Sequence, residues 1–152
     1  MKRSRCLAIA LLVVLLDQST KYLVRNLMSP FDTIKVFSFL DLVSVTNEGA
    51  AFGMFKGLGT VAFIVVSLVA IVFVSFLLLR TREDGFALSL ILGGATGNLI
   101  DRIIFGKVTD FIDVFAGRFH WPAFNVADSA LTTGLVLLLL GSLFHHKIGE
   151  KA

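Results

Sequence analysis

Residues 58–79 form an unbroken run without a single charged side chain. Coiled as a helix, those roughly 22 residues extend about 33 Å at 1.5 Å per residue. That is enough to cross the hydrocarbon core of a bilayer, which is about 30 Å thick. Three more apolar runs accompany it, at about residues 6–27, 86–104 and 126–144. Hydrophobic residues make up 56% of the chain and charged ones only 16%, against about 45–50% and about 25% in soluble domains. The mean hydropathy is +0.87. So much apolar surface needs lipid as its solvent, and 152 residues leave room for one bundle and no second domain. The expected fold is a single all-α membrane domain over residues 1–152, a bundle of four transmembrane helices.

The first run opens like a secretory signal, with Lys2, Arg3 and Arg5 ahead of apolar residues. A cleavable signal continues into small residues at a processing site. Here the run meets Asp17-Gln18-Ser19-Thr20-Lys21 and resumes with Tyr22-Leu23-Val24, as an uncleaved span would. Cys6 is the single cysteine, which excludes an intrachain disulfide. With no histidine near it in sequence it reads as an inert buried thiol.

Four spans put both termini on one side. That side collects Lys2, Arg3, Arg5, Arg80, Arg82, Lys147 and Lys151 in three short segments. Arg25, Lys35, Lys56, Lys107 and Arg118 are spread through two longer ones. The positive-inside rule then places both termini in the cytoplasm and loops 28–57 and 105–125 outside. Residues 33–45 are rich in Ile, Val and Phe without Pro or Gly, which is strand composition. A small antiparallel sheet on the outer membrane surface is expected there, leaning on the bundle because two strands alone are marginal. Phe119, Trp121 and Phe124 suit an interfacial aromatic belt. The net charge of +3 reflects this topology, and no basic, aromatic-interleaved stripe suggests nucleic acid.

Charge at bilayer depth is costly, so polar groups beside the spans carry the information. Asp17 precedes Lys21 by four residues and can form a helical ion pair with it, or shape a site floor from a neighbouring helix. Ser19 and Lys21, two apart, point to different faces and make a poor Ser/Lys pair. Asn47-Glu48-Gly49-Ala50-Ala51-Phe52-Gly53 is either a Gly-rich turn or a donor site for a peptide backbone. Gly93-Gly94-Ala95-Thr96-Gly97-Asn98 permits close helix approach. Asn98 and Arg102 share a face; Arg102 is an interfacial anchor or a fork for a carbonyl or phosphate.

The strongest pair is Asp110-Phe111-Ile112-Asp113 with Asn125-Val126-Ala127-Asp128-Ser129. Asp110 follows span three and Asp128 opens span four, so the two can meet just outside the hydrocarbon. Two close carboxylates do not ionise together easily, which supplies an acid and a base in one site without metal or covalent nucleophile. Against this, Asp128 can serve as a helix N-cap, and Asp110 can pair with Arg102 or Lys107. Asp113 is an alternative partner for Asp128.

Five blocks together resemble the lipoprotein signal peptidases, the bacterial inner-membrane aspartyl peptidases also called type II signal peptidases: Asp17 to Lys21, Asn47 to Gly53, Gly93 to Arg102, Val108-Thr109-Asp110-Phe111, and Phe124 to Ser129. The resemblance spans about residues 17–130. It implies that Asp110 and Asp128 are the catalytic dyad, and that Asp17, Asn47, Gly94, Asn98, Arg102, Asn125 and Ala127 support the site or contact substrate. It also implies a small extracytoplasmic β-cradle, no cofactor or metal, and cleavage just before a diacylglyceryl-cysteine. The implied partners are diacylglyceryl-prolipoproteins and membrane lipid, with the enzyme a monomer. Thr109 stands where the family more often has an aliphatic residue, a departure expected to touch no functional role. Rival readings are a Mg²⁺-dependent lipid head-group transferase using the spaced aspartates, and a small channel with Asp17 on a polar path.

Overall fold

The computed structural model describes residues 1–49, 59–80 and 84–149. In chain order the elements are α1 (Arg3–Leu27), β1 (Thr33–Phe37), β2 (Leu40–Asn47), α2 (Gly59–Arg80), α3 (Gly85–Phe105), β3 (Val108–Ala116), β4 (Phe119–His120) and α4 (Val126–Gly149). All four helices are long and apolar enough to cross a membrane. The expected architecture, four helices with a small antiparallel sheet, is what the chain adopts. Residues 50–53 of the Asn47 block, and Arg82, lie outside the described residues.

Helix α3 is the centre of the bundle. It packs against α1, α2 and α4 and buries residues on every side, from Ala87 and Leu88 to Leu99 and Asp101. Its small residues make this possible. A Cβ on Gly93 would lie 2.7 Å from both the Ala10 carbonyl oxygen and Val13 Cβ of α1. One on Gly94 would lie 2.8 Å from Leu131 Cγ and collide with the Ala127 carbonyl oxygen of α4. Backbones that close leave no room for a side chain, so the glycines set the interhelical distance. Helix α2 is the opposite case, burying only Val74 and Leu78 and leaving many of its apolar residues exposed, among them Val61, Val65, Val69, Val72 and Phe73. Cys6 joins Val74, Leu78, Leu88 and Ile91 in one buried cluster, buried as its sequence context suggested.

The sheet has four strands in the order β1-β2-β3-β4, all antiparallel. The sequence reading drew strands from the first outer loop alone; β3 and β4 come from the second. Residues 108–116 (Val-Thr-Asp-Phe-Ile-Asp-Val-Phe-Ala) do have strand composition, with aspartates interrupting the apolar pattern. Pairing β2 with β3 resolves the marginal stability of an isolated hairpin, and it sets Asn47 beside Val108 and Val45 beside Asp110. Helix α3 hands over to β3 through Gly106 at φ 72°, a left-handed C-cap whose amide bonds the Arg102 carbonyl. The strand thus starts a few residues after the helix that forms the site's wall.

Candidate active site

Asp110 lies on β3 and Asp128 in the first turn of α4, and both line one cavity of about 650 Å³. Asn47, Asn98 and Arg102 line it too, as do Phe63, Val66 and Ala70 of α2 and Trp121 and Phe124 of the second outer loop. The sequence-derived residues therefore divide by position. Asp110, Asp128, Asn47, Asn98 and Arg102 face the cavity. Asp17, Gly94, Asn125 and Ala127 sit behind them.

Three asparagines orient the carboxylates. Asn125 Nδ2 donates to Asp110 Oδ1 at 2.7 Å, and Asn47 Nδ2 donates to Asp110 Oδ2 at 3.2 Å. Asn98 Nδ2 donates to Asp128 Oδ1 at 2.8 Å. Each carboxamide is turned by a donor on its own oxygen. Asn98 Oδ1 accepts from Lys21 Nζ at 2.9 Å, Asn47 Oδ1 from the Gly49 amide at 2.9 Å, and Asn125 Oδ1 from the Asp128 amide at 2.9 Å. With its oxygen so occupied, each amide presents its NH₂ to a carboxylate.

The simpler roles weighed for these residues are partly real as well. Asp128 Oδ2 accepts from the Asn125 amide at 3.3 Å while Asn125 Oδ1 caps Asp128, the reciprocal pair of a capping box. The N-cap is thus Asn125, and Asp128 still lines the cavity. Asp110 is held by two asparagines rather than by Arg102 or Lys107. Asp113 goes elsewhere: its Oδ2 meets His120 Nδ1 at 2.8 Å, and His120 stacks on Phe115. Arg102 Nη2 reaches the Gly49 carbonyl at 3.4 Å and its guanidinium stands 5.2 Å from the centre of the Phe63 ring.

Asp110 is 3% exposed. Burial, and after it the negative charge of Asp128, raise its pKa to about 7 against the opposing pull of the Asn47 and Asn125 hydrogen bonds and the Lys21 charge. A carboxyl group in that range is half protonated near neutrality and can give or take a proton.

Beneath the pair lies a buried ionic floor. Asp17 and Lys21 make the expected i,i+4 pair at 2.8 Å with both side chains fully buried, and Asp17 Oδ1 also accepts the Ala127 amide at 2.9 Å. The ion-pair reading of Asp17 therefore holds, and the same carboxylate also ties α1 to the start of α4. Asp101 was not singled out from sequence, yet it is fully buried and takes Lys21 at 3.5 Å, Arg25 at 3.3 Å and Gln18 at 3.2 Å. Its signal was present: Asp17, Lys21 and Arg25 recur every four residues along α1, a stripe with two cations and one anion that calls for a second carboxylate. Thr109, the departure expected to touch no functional role, is buried; its hydroxyl accepts from Arg25 at 3.1 Å and its carbonyl from Asn125 at 3.3 Å. Among the described residues no three His, Cys, Asp or Glu side chains cluster to hold a metal ion.

The sequence profile of the family described as signal peptidase (SPase) II matches residues 9–144. The chain belongs to the signal peptidase II family. A lipoprotein signal peptidase of Thermodesulfovibrio yellowstonii is 48% identical over 132 residues, 87% of this chain and 90% of that protein. One from Cupriavidus taiwanensis is 47% identical over 143 residues, covering 90% and 81%. A solved structure described as a bacterial membrane enzyme superposes with a TM-score of 0.86 at 34% identity, covering 92% of this chain and 88% of the other. The signal peptidase II fold accounts for the helices and the cradle together, and this chain is a hydrolase of the aspartic peptidase type.

Proposed function

We propose that Asp110 and Asp128 are the acid–base pair with which this signal peptidase II removes the signal peptide from a diacylglyceryl-modified lipoprotein precursor. The cut falls on the N-terminal side of the lipidated cysteine. The observation that carries the reading is the convergence of a buried carboxylate from a strand and a half-buried one from a helix on one cavity walled partly by apolar residues of α2. The ionised carboxylate takes a proton from water as its oxygen attacks the scissile carbonyl carbon. The protonated one donates to the carbonyl oxygen, and a proton then passes to the leaving amine as the C–N bond breaks. The asparagine NH₂ groups hold both carboxylates in place through the exchange.

The substrate's two acyl chains stay in lipid while its peptide reaches the pair, which supports a cleft opening sideways to the membrane. Lys/Arg density supports cytoplasmic termini and a site at the outer leaflet, and both carboxylates come from one chain, which supports a monomer as the working unit. The test is incubation of purified protein with a lipidated precursor peptide, read by mass. Asp110→Asn and Asp128→Asn should each lower cleavage by at least the about 10²–10⁴-fold assigned to general acid–base catalysis, with the double variant hardly worse than either. Asp113→Asn should keep most activity, and saturating chelator should leave the rate unchanged. Full activity in both single variants would remove the aspartyl assignment.

A further inference from the structure

We infer that Arg25 and Asp101, acting through Thr109, are positioning residues that lock the start of β3 and thereby place Asp110. The inference rests on the role proposed for Asp110 and names what aims it. Thr109 immediately precedes Asp110, and all three of its polar groups are engaged. Its amide donates to Asp101 Oδ2 at 3.0 Å, its hydroxyl accepts from Arg25 Nη1 at 3.1 Å, and its carbonyl accepts from Asn125 Nδ2 at 3.3 Å. The same Asn125 Nδ2 lies 2.7 Å from Asp110 Oδ1. Arg25 Nη1 also meets both Asp101 oxygens, at 3.3 and 3.4 Å, and its guanidinium lies 4.3 Å from the centre of the Phe105 ring.

One cation of α1, one carboxylate of α3 and one residue of β3 thus close into a ring of hydrogen bonds. None of the three touches the cavity. The ring spans the tight turn at Gly106, where helix becomes strand. An aliphatic residue at 109 would leave Arg25 without its third acceptor, so the latch belongs to this sequence's choice of threonine. Asp101 is fully buried, and its pairs with Lys21 and Arg25 offset the cost of hiding its charge. Its Oδ2 also fixes the backbone amide of Thr109, the residue before Asp110.

The experiment uses the full chain in detergent with the lipidated precursor peptide, and hydrogen exchange of residues 107–112 as a second readout. Thr109→Val and Arg25→Gln should lower kcat by about 10- to 100-fold, the scale of a small misplacement of a reacting group, with KM little changed. Exchange over 107–112 should quicken by about fivefold in each, the worth of one ordinary hydrogen bond. Thr109→Ser restores the hydroxyl and should restore both. The double variant should be no worse than either single. Wild-type kcat in Thr109→Val and Arg25→Gln, unchanged exchange, or failure of serine to rescue would each overturn the latch; if Thr109→Val does not fold, Arg25→Gln decides. Asp110→Asn run alongside separates the two ideas. If it is dead while the latch variants are normal, the latch alone falls. If it is active, the dyad falls and the latch stands or falls on exchange.

Discussion

Asp110 shows how a buried site is tuned residue by residue. Its carboxyl is raised to about 7, first by burial and then by the charge of Asp128. The folded chain therefore holds this proton more tightly than the unfolded chain does, whose carboxyl titrates near 4. That contribution to stability is fully present below about pH 4 and is lost as pH rises through about 7, an effect on the order of 4 kcal/mol if no neighbour relaxes. Thermal unfolding of Asp110→Asn should accordingly lose much of the wild-type decline between pH 4 and 7. If Asp110 is the group that donates, cleavage should also fall as pH rises through about 7, and a rate flat from pH 5 to 9 would contradict it. Asn125 touches both carboxylates, through its side chain to Asp110 and its backbone to Asp128. Asn125→Ala should cost more activity than Asn47→Ala, whose bond to Asp110 is the longer one.

At the level of elements, the crossing of α3 with α4 carries the site, because it sets Asn98 of one helix against Asp128 of the other. Gly94 is where the two backbones meet. Gly94→Val should force them apart and destabilise the fold by about 1–3 kcal/mol, as overpacking does, and should depress cleavage although residue 94 lies outside the cavity. Gly94→Ala should do the same more weakly. The sheet offers the opposite case. Asp41 and Asp113 are direct cross-strand partners, and each has one buried oxygen without a hydrogen-bond partner among the described residues. Like charges facing across a ladder destabilise it. Asp41→Asn should therefore leave cleavage intact and raise the melting temperature; a clear fall in melting temperature would show that the carboxylate is held by a contact that outweighs the repulsion.

For the whole molecule, the orientation in the membrane and the access of lipid are the predictions to settle. In a Cys6→Ala background, Ala116→Cys should react with an impermeant thiol reagent in intact cells and Arg82→Cys should not. The reverse pattern would place the carboxylate pair on the wrong face for exported precursors. A precursor lacking its diacylglyceryl group loses anchoring of about 0.8 kcal/mol per buried CH₂, and its cleavage should nearly vanish. Equal turnover of the bare and acylated peptides would argue against a cleft open to lipid.

The four spans were legible in the sequence because a bilayer imposes one requirement on every residue of a span, and hydropathy reads it directly. The helices seen at residues 3–27, 59–80, 85–105 and 126–149 fall within a few residues of the apolar runs. The carboxylates stood out for a related reason, since charge beside lipid is rare, while the choice of Asp110 over Asp113 came from the family resemblance. Arg25 and Thr109 were not legible, since each has an ordinary surface explanation until its partner is known, and Asp101 was signalled only indirectly by the charged stripe of α1. Arg25 meets Asp101 and Thr109 across 76 and 84 residues of chain, and the three come from three different elements. The strands of the second outer loop escaped for the same cause, because β3 is a strand only in the presence of β2. Local chemistry thus determined which segments enter the membrane and which side chains are costly there. Long-range packing around the glycines of α3 decided which of those costly groups meet, since hydrogen bonds between distant elements depend on a backbone spacing that no local pattern encodes.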